Sequence, residues 1–389
     1  MAEVCTELQS QNSMYNSPQP NTLPLEIIEH IISFIRLKAS CQATLWACTL
    51  VSRAWYSASI RFLYEKPYLS GGNFDQFVST ICPSKNAHIR TSPLATLVRH
   101  LDMGGLVHNS SRSLTARLLG RLKGNLEAFV APQVSFAVNS FAALCKCTKL
   151  RYLNLSLISA SISNKSLFQT LKSLIQLEIL FFPRSSNKDL DAASELYTWP
   201  PRLKALHIAC SIDDQFIFYQ LHSAPKTLST LSIQHCPQLR ASSINFALTK
   251  LGSNLENLAI RHPLPQISRG TLNYVLEYCP YLIALRISAD YITDEIFTRI
   301  PPSHPLRTLD LECSPSADSE VNITPNAIFH AIDQELLPNL RRVRVSARLA
   351  WDSTLLLRSD AIDLSELLET MELETPLNMP SGVWFNLPD

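Results

Sequence analysis

One short pattern recurs from Val98 to Val345: a leucine-type residue, two others, a second apolar residue, one other, a third apolar residue. It reads Val98-x-x-Leu101-x-Met103, Leu126-x-x-Phe129-x-Ala131, Leu150-x-x-Leu153-x-Leu155 and Leu177-x-x-Leu180-x-Phe182. It continues through Leu203-x-x-Leu206-x-Ile208, Leu228-x-x-Leu231-x-Ile233, Leu255-x-x-Leu258-x-Ile260 and Leu282-x-x-Leu285-x-Ile287. Leu306-x-x-Leu309-x-Leu311 and Leu340-x-x-Val343-x-Val345 close the series, with steps of 24 to 34 residues between units. The last two apolar positions alternate as in a strand. A unit of this size cannot bury its apolar face alone, so each must stack on the next. That resolves a problem of size. A chain of 389 residues exceeds the length at which one globular core usually stops growing, but a stack buries each layer only against its neighbours.

Period and signature together specify an α/β leucine-rich-repeat solenoid, a horseshoe with one parallel strand and one helix per repeat. The segments after the strands carry helix-start signals. Ser163, Ser268, Thr293 and Thr324 are placed to cap helices, and Pro325 suits a first helical position. Cys147-Thr-Lys-Leu150, Cys279-Pro-Tyr-Leu282 and Cys236, three residues after Ile233, are similar to the cysteine-containing class of this repeat. The longest step, Leu306 to Leu340, holds a polar insertion over Cys313–Glu320. Residues 359–373 read as a helix, and the apolar tail opening Gly382-Val-Trp-Phe caps the last repeat.

Ahead of the repeats the chain changes character. Residues 1–22 are rich in Ser, Asn, Gln and Pro and read as a disordered tail. Pro24 and Glu26 suit a helix start, and Ile27, Ile28, Ile31, Ile32 and Ile35 form one helical stripe. A second helical pattern runs from Cys41 to Ser52 with Leu45, Trp46, Leu50 and Val51, and a third holds Trp55, Ala58, Phe62 and Leu63. Three helices so short cannot bury all these groups themselves. Part of that surface must meet another protein or the neighbouring domain.

Leu23-Pro24-x-Glu26-Ile27-Ile28-x-x-Ile31, Leu50-Val51-Ser52-Arg53-Ala54-Trp55 and Leu63-Tyr64 resemble the F-box. Tyr64 stands where that family often has tryptophan, and the connection from Ile35 to Leu45 is longer than in compact examples. The resemblance implies a small three-helix domain that docks on an Skp-type adaptor, and through it on a cullin. It assigns adaptor contacts to Leu23, Pro24, Ile27, Ile28, Ile31, Leu50, Val51 and Trp55. It further implies a substrate-recognition subunit of an SCF-type ubiquitin ligase, with protein targets held by the repeats for ubiquitin-dependent degradation. The division of the chain is then a tail over 1–22, an F-box-like domain over 23–69, a transition over 70–97, repeats over 98–350 and a cap over 351–389. Pro67-Tyr68-Leu69 reads as a capping strand and Phe74–Ile81 as a helix. The other reading of the same residues is a leucine-rich-repeat scaffold or inhibitor acting without ubiquitin transfer.

Composition removes other classes. The net charge is +1, from 34 basic and 33 acidic side chains, so no global field attracts nucleic acid or a membrane surface. Nine glycines leave little material for phosphate-cradling loops, and no G-x-G-x-x-G, Walker, G-x-S-x-G or H-E-x-x-H motif occurs. No catalytic set and no cofactor is expected. Cys145-Lys-Cys147 is the one tight cysteine pair, without the second pair that zinc requires, so no metal is expected. There is no signal-peptide pattern and no run of about 18 apolar residues, which points to the cytosol or nucleus and reduced thiols.

Strand alternation sends the residues between the apolar positions to the concave face. The expected target contacts are Tyr152 and Phe181 at one end, then His207, Arg261, Arg286, Arg342 and Arg344. Aromatics and arginines are the types that anchor interfaces. Arginine also offers a planar donor fork to carboxylate or phosphate. Asp310 and Glu312 share this face and can pair with Arg286 or Arg342, while His207 is expected to be solvated.

Overall fold

The structure, a computed structural model, describes residues 23–35, 41–84, 92–106, 112–184, 186–187, 197–209, 212–315 and 323–386. The expected tail over 1–22, residues 36–40 and most of the polar insertion before Glu320 lie outside the described residues. The chain divides into two compact units, Met1–Tyr68 and Leu69–Asp389.

The first unit holds α1 (Leu25–Ser33), α2 (Gln42–Thr49) and α3 (Arg53–Glu65). Ile28, Ile32, Leu45 and Ala58 form its core, with Ile35, Cys48, Trp55, Phe62 and Leu63 packed around them. The expected single isoleucine stripe splits in two. Successive residues point about 100° apart on a helix, and a unit of three short helices has one interior. Ile28 and Ile32 fill it, and Ile27 and Ile31 remain outside. The second helix stops at Thr49 because Ser52 belongs to the next one. Ser52 is extended, and its hydroxyl accepts from the Trp55 amide at 3.3 Å.

In the second unit Leu69 is not in a strand, so the expected capping strand is absent. α4 (Phe74–Ile81) stands instead before the first repeat, with Phe74, Phe77 and Ile81 buried. The strands are β1 (His100–Asp102), β2 (Ala128–Val130), β3 (Tyr152–Asn154), β4 (Ile162–Ser163), β5 (Ile179–Phe181) and β6 (Ser186–Asn187). There follow β7 (Ala205–Ala209), β8 (Thr230–Gln234), β9 (Asn257–Arg261), β10 (Ala284–Ser288), β11 (Thr308–Glu312), β12 (Arg342–Ser346) and β13 (Gly382–Asn386). Eleven of them make one sheet in the order β1-β2-β3-β5-β7-β8-β9-β10-β11-β12-β13, and β4 pairs with β6 apart from it. The neighbours are parallel, as a crossover helix between strands requires. The architecture is a leucine-rich-repeat solenoid.

The register reproduces the sequence pattern layer by layer. Leu206 lies beside Leu231, Leu231 beside Leu258, Leu258 beside Leu285, Leu285 beside Leu309 and Leu309 beside Val343. All are at most 2% exposed, as are the first residues of the ten units, from Val98 to Leu340. Helices cover the other side: α5 (Arg112–Leu122), α6 (Val138–Leu144), α7 (Asn164–Leu171), α8 (Asp214–Tyr219) and α9 (Ala241–Leu251). α10 (Val275–Tyr278), α11 (Glu295–Thr298), α12 (Pro325–Asp333) and α13 (Leu355–Glu374) complete the layer.

Ser163 and Thr324 cap α7 and α12, accepting from the Ser166 and Ala327 amides. Ser268 and Thr293 do not cap. The chain there runs through turns, and α10 and α11 begin only at Val275 and Glu295. Buried Asn273 has taken Thr293: its Oδ1 accepts from the Thr293 amide at 2.9 Å and its Nδ2 donates to the Thr293 hydroxyl at 2.8 Å. The repeat cysteines Cys147, Cys236 and Cys279 are fully buried. Burial pushes the thiols of Cys147 and Cys279 up to about 12, which keeps them protonated and inert.

The array runs further than residue 350. β13 pairs with β12 in register, Val343 beside Val383, so the apolar tail is a full strand of the sheet. Arg341, 1% exposed, locks it in place. It donates to the carbonyls of Pro338, Leu340 and Thr375 and pairs with Glu372 at 3.1 Å. Charged residues just before the strands also pair between layers: Arg99 with Glu127, then Arg151 and Lys204 with Glu178.

Candidate functional site

Two surfaces stand out, one on each unit. On the helical unit, Ile27 and Ile31 lie four residues apart on one face of α1, with Leu23 just before the helix and Phe34 at its C-terminal cap. Trp46 on α2 and Leu50 and Val51 after it are likewise open, and this apolar set is 40% to 71% exposed. Of the residues expected to face an adaptor, Leu23, Pro24, Ile27, Ile31, Leu50 and Val51 lie on the surface. One needs correction: Ile28 is 2% exposed and belongs to the core, while Trp55 packs against that core and stays part-exposed. Ile28 stands in the motif beside outward-facing Ile27, but a unit of three short helices needs part of the motif inside. Phe34 and Trp46, which the motif did not assign, are exposed as well.

The second surface is the open face of the sheet, opposite the helices. It carries a cavity of about 540 Å³ whose lining runs from Asn154 and Phe181 to Arg342 and Arg344. One end is aromatic. The rings of Tyr152 and Phe181 lie 5.6 Å apart, and His207 stacks flat on Phe181 at 4.0 Å. His207 is therefore half-buried rather than solvated. Burial holds its pKa below the ordinary histidine value and favours the neutral ring.

The other end is a guanidinium–carboxylate network. Arg261 donates to Glu312 at 2.6 Å and to Gln234 at 3.1 Å. Arg286 donates to Asp310 at 3.1 Å and lies 3.6 Å from Glu312. Arg344 grips both oxygens of Asp310, one of them at 2.7 Å. Burial alone would raise the Asp310 pKa, but the hydrogen bonds and charges of Arg344 and Arg286 outweigh it and hold the carboxyl below its ordinary value.

Register decides which arginines are neutralised. Arg344 lies directly opposite Asp310, while Arg342 lies opposite Thr308 on one side and Gly382 on the other. Among the described residues the Arg342 Nε is buried without an acceptor. The expected pairing of Arg342 with Asp310 or Glu312 is thus corrected: Arg344 takes that place. The sheet also brings Trp384 beside Arg344, a residue the strand pattern of the tail could have placed on this face. Among the described residues no group of His, Cys, Asp and Glu is arranged to hold a metal, and no helix is long and apolar enough to cross a membrane.

These features define a leucine-rich-repeat protein that also carries a three-helix unit. No protein-family model matches the chain. It is 33% identical over 336 residues to the F-box protein YDR306C of Saccharomyces cerevisiae, covering 85% of this chain and 68% of that one. It is 30% identical over 348 residues to protein pof5 of Schizosaccharomyces pombe, covering 89% of this chain and 94% of that one. The chain belongs to the F-box protein family. Among solved structures, it is similar to the leucine-rich-repeat-containing protein LegL7 of Legionella pneumophila (13% identity, 67% of this chain and 86% of that one, TM-score 0.34). Yeast Rad7, solved in complex with Elc1, is similar at 16% identity over 82% of this chain and 91% of that one, with a TM-score of 0.34.

Proposed function

We propose that this protein is the non-catalytic target-recognition subunit of an SCF-type ubiquitin ligase. Its helical unit docks on an Skp-type adaptor, which connects it to a cullin, and the sheet face of its repeats holds a protein target. The observation that carries this reading is the exposed apolar set of the helical unit, Leu23, Ile27, Ile31, Phe34, Trp46, Leu50 and Val51. So many large apolar groups left in water on one small unit mark an association surface, and the family supplies the partner class. Tethering then converts a bimolecular encounter between target and transfer machinery into a near-intramolecular one.

The test is co-purification of the full chain with an Skp-type adaptor. An interface anchor costs about 2 kcal/mol or more on truncation, so Leu50→Ala with Val51→Ala should weaken adaptor binding more than tenfold. Both residues lie outside the core, so the melting temperature should stay put. Undiminished co-purification of the double variant would overturn the docking assignment.

A further inference from the structure

We infer that the outer face of α13, on the last layer of the array, is a docking site for a basic amphipathic helix of a partner protein. It shares no residue with either surface described above and does not depend on the receptor reading.

The end layer of a solenoid has no neighbour to cover it, so its outer side is expected to be polar. α13 is not built that way. It buries Ala361, Leu364 and Leu368. On its opposite side Leu355, Ile362 and Leu373 are 89%, 51% and 83% exposed. Ile362 lies two helical turns and Leu373 five turns beyond Leu355, so the three stand in one line. At 1.5 Å per residue that line is about 27 Å long. Leu356, 71% exposed, widens it at one end. Phe385 of β13 adds to the apolar surface of this layer. It stands beside buried Val345 in the register, yet is 51% exposed because β13 is the last strand of the sheet. Large apolar groups at helical spacing on a water-facing side mark a surface that takes up another amphipathic helix.

The charges of α13 select the kind of helix. It carries six acidic residues and one basic residue, Arg358. Asp363, Glu366, Glu369 and Glu374 are exposed, and the one ion pair of α13 among the described residues joins Glu372 to Arg341. An apolar line flanked by unpaired carboxylates complements an apolar line flanked by lysine or arginine. A second copy of this chain would set acid against acid, and anionic lipid would be repelled in the same way. The undescribed stretches of this sequence do not supply the occupant. Residues 1–22 hold no lysine or arginine, and the others are at most nine residues long.

The free edge of β13 favours a helix over an added strand. The Gly382 amide donates to the Arg341 carbonyl at 2.9 Å, so the next amide, that of Val383, points away from β12. There it already donates to Ser365 Oγ of α13 at 3.1 Å. A strand joining this edge would find that donor taken.

The experiment uses the purified full chain and fluorescein-labelled peptide pools, read by anisotropy. Each peptide has about 20 residues, enough for a helix to span the apolar line. The first pool places leucine on one helical face and lysine or arginine on its flanks, with alanine and glutamine elsewhere. A second keeps that composition in scrambled order, and a third replaces the basic residues by glutamate. The first pool should bind at least about tenfold more tightly than either control. Raising salt from about 0.05 M to about 0.5 M should weaken it severalfold, because exposed charges are screened. Leu355→Gln with Leu373→Gln should abolish the preference at an unchanged melting temperature, since both residues lie outside the core. Asp363→Lys with Glu366→Lys should weaken binding of the basic pool and strengthen that of the acidic one. Sedimentation of the chain alone, and flotation with phosphatidylcholine–phosphatidylserine vesicles, test the other occupants. Equal binding of the three pools, or a preference that survives the double leucine variant, would overturn the inference. So would a dimer that this variant makes monomeric, or vesicle binding that it abolishes.

Discussion

Replacing Asp310 by Asn tests whether the arginine wall is a designed network or a row of incidental charges. The Asp310 side chain is 9% exposed, and its carboxylate accepts from Arg344 through two nitrogens and from Arg286 through one. Each charge-assisted bond contributes about 1.5–3 kcal/mol when fully desolvated. The two arginine side chains are 30% and 37% exposed, so water recovers much of what the substitution removes. Asparagine also retains one neutral acceptor. The net loss should be about 2 kcal/mol, read as a lower urea midpoint followed by circular dichroism. The dependence on pH sharpens the test. The folded carboxyl titrates below its ordinary value of 3.8, so its contribution is fully present above that pH. It is lost as pH falls from there through the folded pKa. The gap between wild type and Asp310→Asn should therefore be the same at pH 7 and 5, narrow below 3.8, and close in stronger acid. A gap that persists unchanged into strong acid, or a variant as stable as wild type at pH 7, would refute the reasoning.

Other substitutions probe the stacking itself. A Cβ on Gly252, which ends α9, would lie 2.0 Å from the Tyr278 carbonyl oxygen of the next layer, so Gly252→Ala should cost about 1–3 kcal/mol. Gly120 in α5 has nothing within 4 Å of that position, and Gly120→Ala should stabilise by up to about 1 kcal/mol; opposite signs in calorimetry are the expected pair. Leu258→Ala should cost about 2–5 kcal/mol and Leu258→Asp more, because a charge without a partner would enter the core. A Leu258→Asp protein melting within about a degree of wild type would show the register to be wrong.

The repeat layers were legible because burial imposes their period. A leucine that must touch the layer before and after it can stand in few places, and Leu153, Leu206, Leu258 and Leu309 all stand there. β13 was harder to read as a strand because Gly382 opens it without the usual leading leucine, although Val383 and Phe385 alternate. The sites were less legible for a different reason. Ile27 and Ile28 are the same residue type in the same motif, and only the packing of α2 and α3 decides that one is core and the other surface. Likewise Arg342 and Arg344 are indistinguishable locally. Their difference arises from Asp310, 34 residues upstream of Arg344, which the register sets opposite one of them and not the other.

The strictly sequential parallel ladder has a consequence for how such a protein can change. The strands of the main sheet join in chain order, each partnered across one repeat, so adding or deleting a whole repeat leaves every other pairing intact. The separation between the aromatic shelf and the arginine wall is therefore quantised. It can lengthen or shorten in steps of about 4.8 Å, one strand at a time. Fine adjustment by fractions of that step is closed to the architecture and must come from side-chain length. A lineage that gains or loses a repeat would thus change the gauge of this face without redesigning either end.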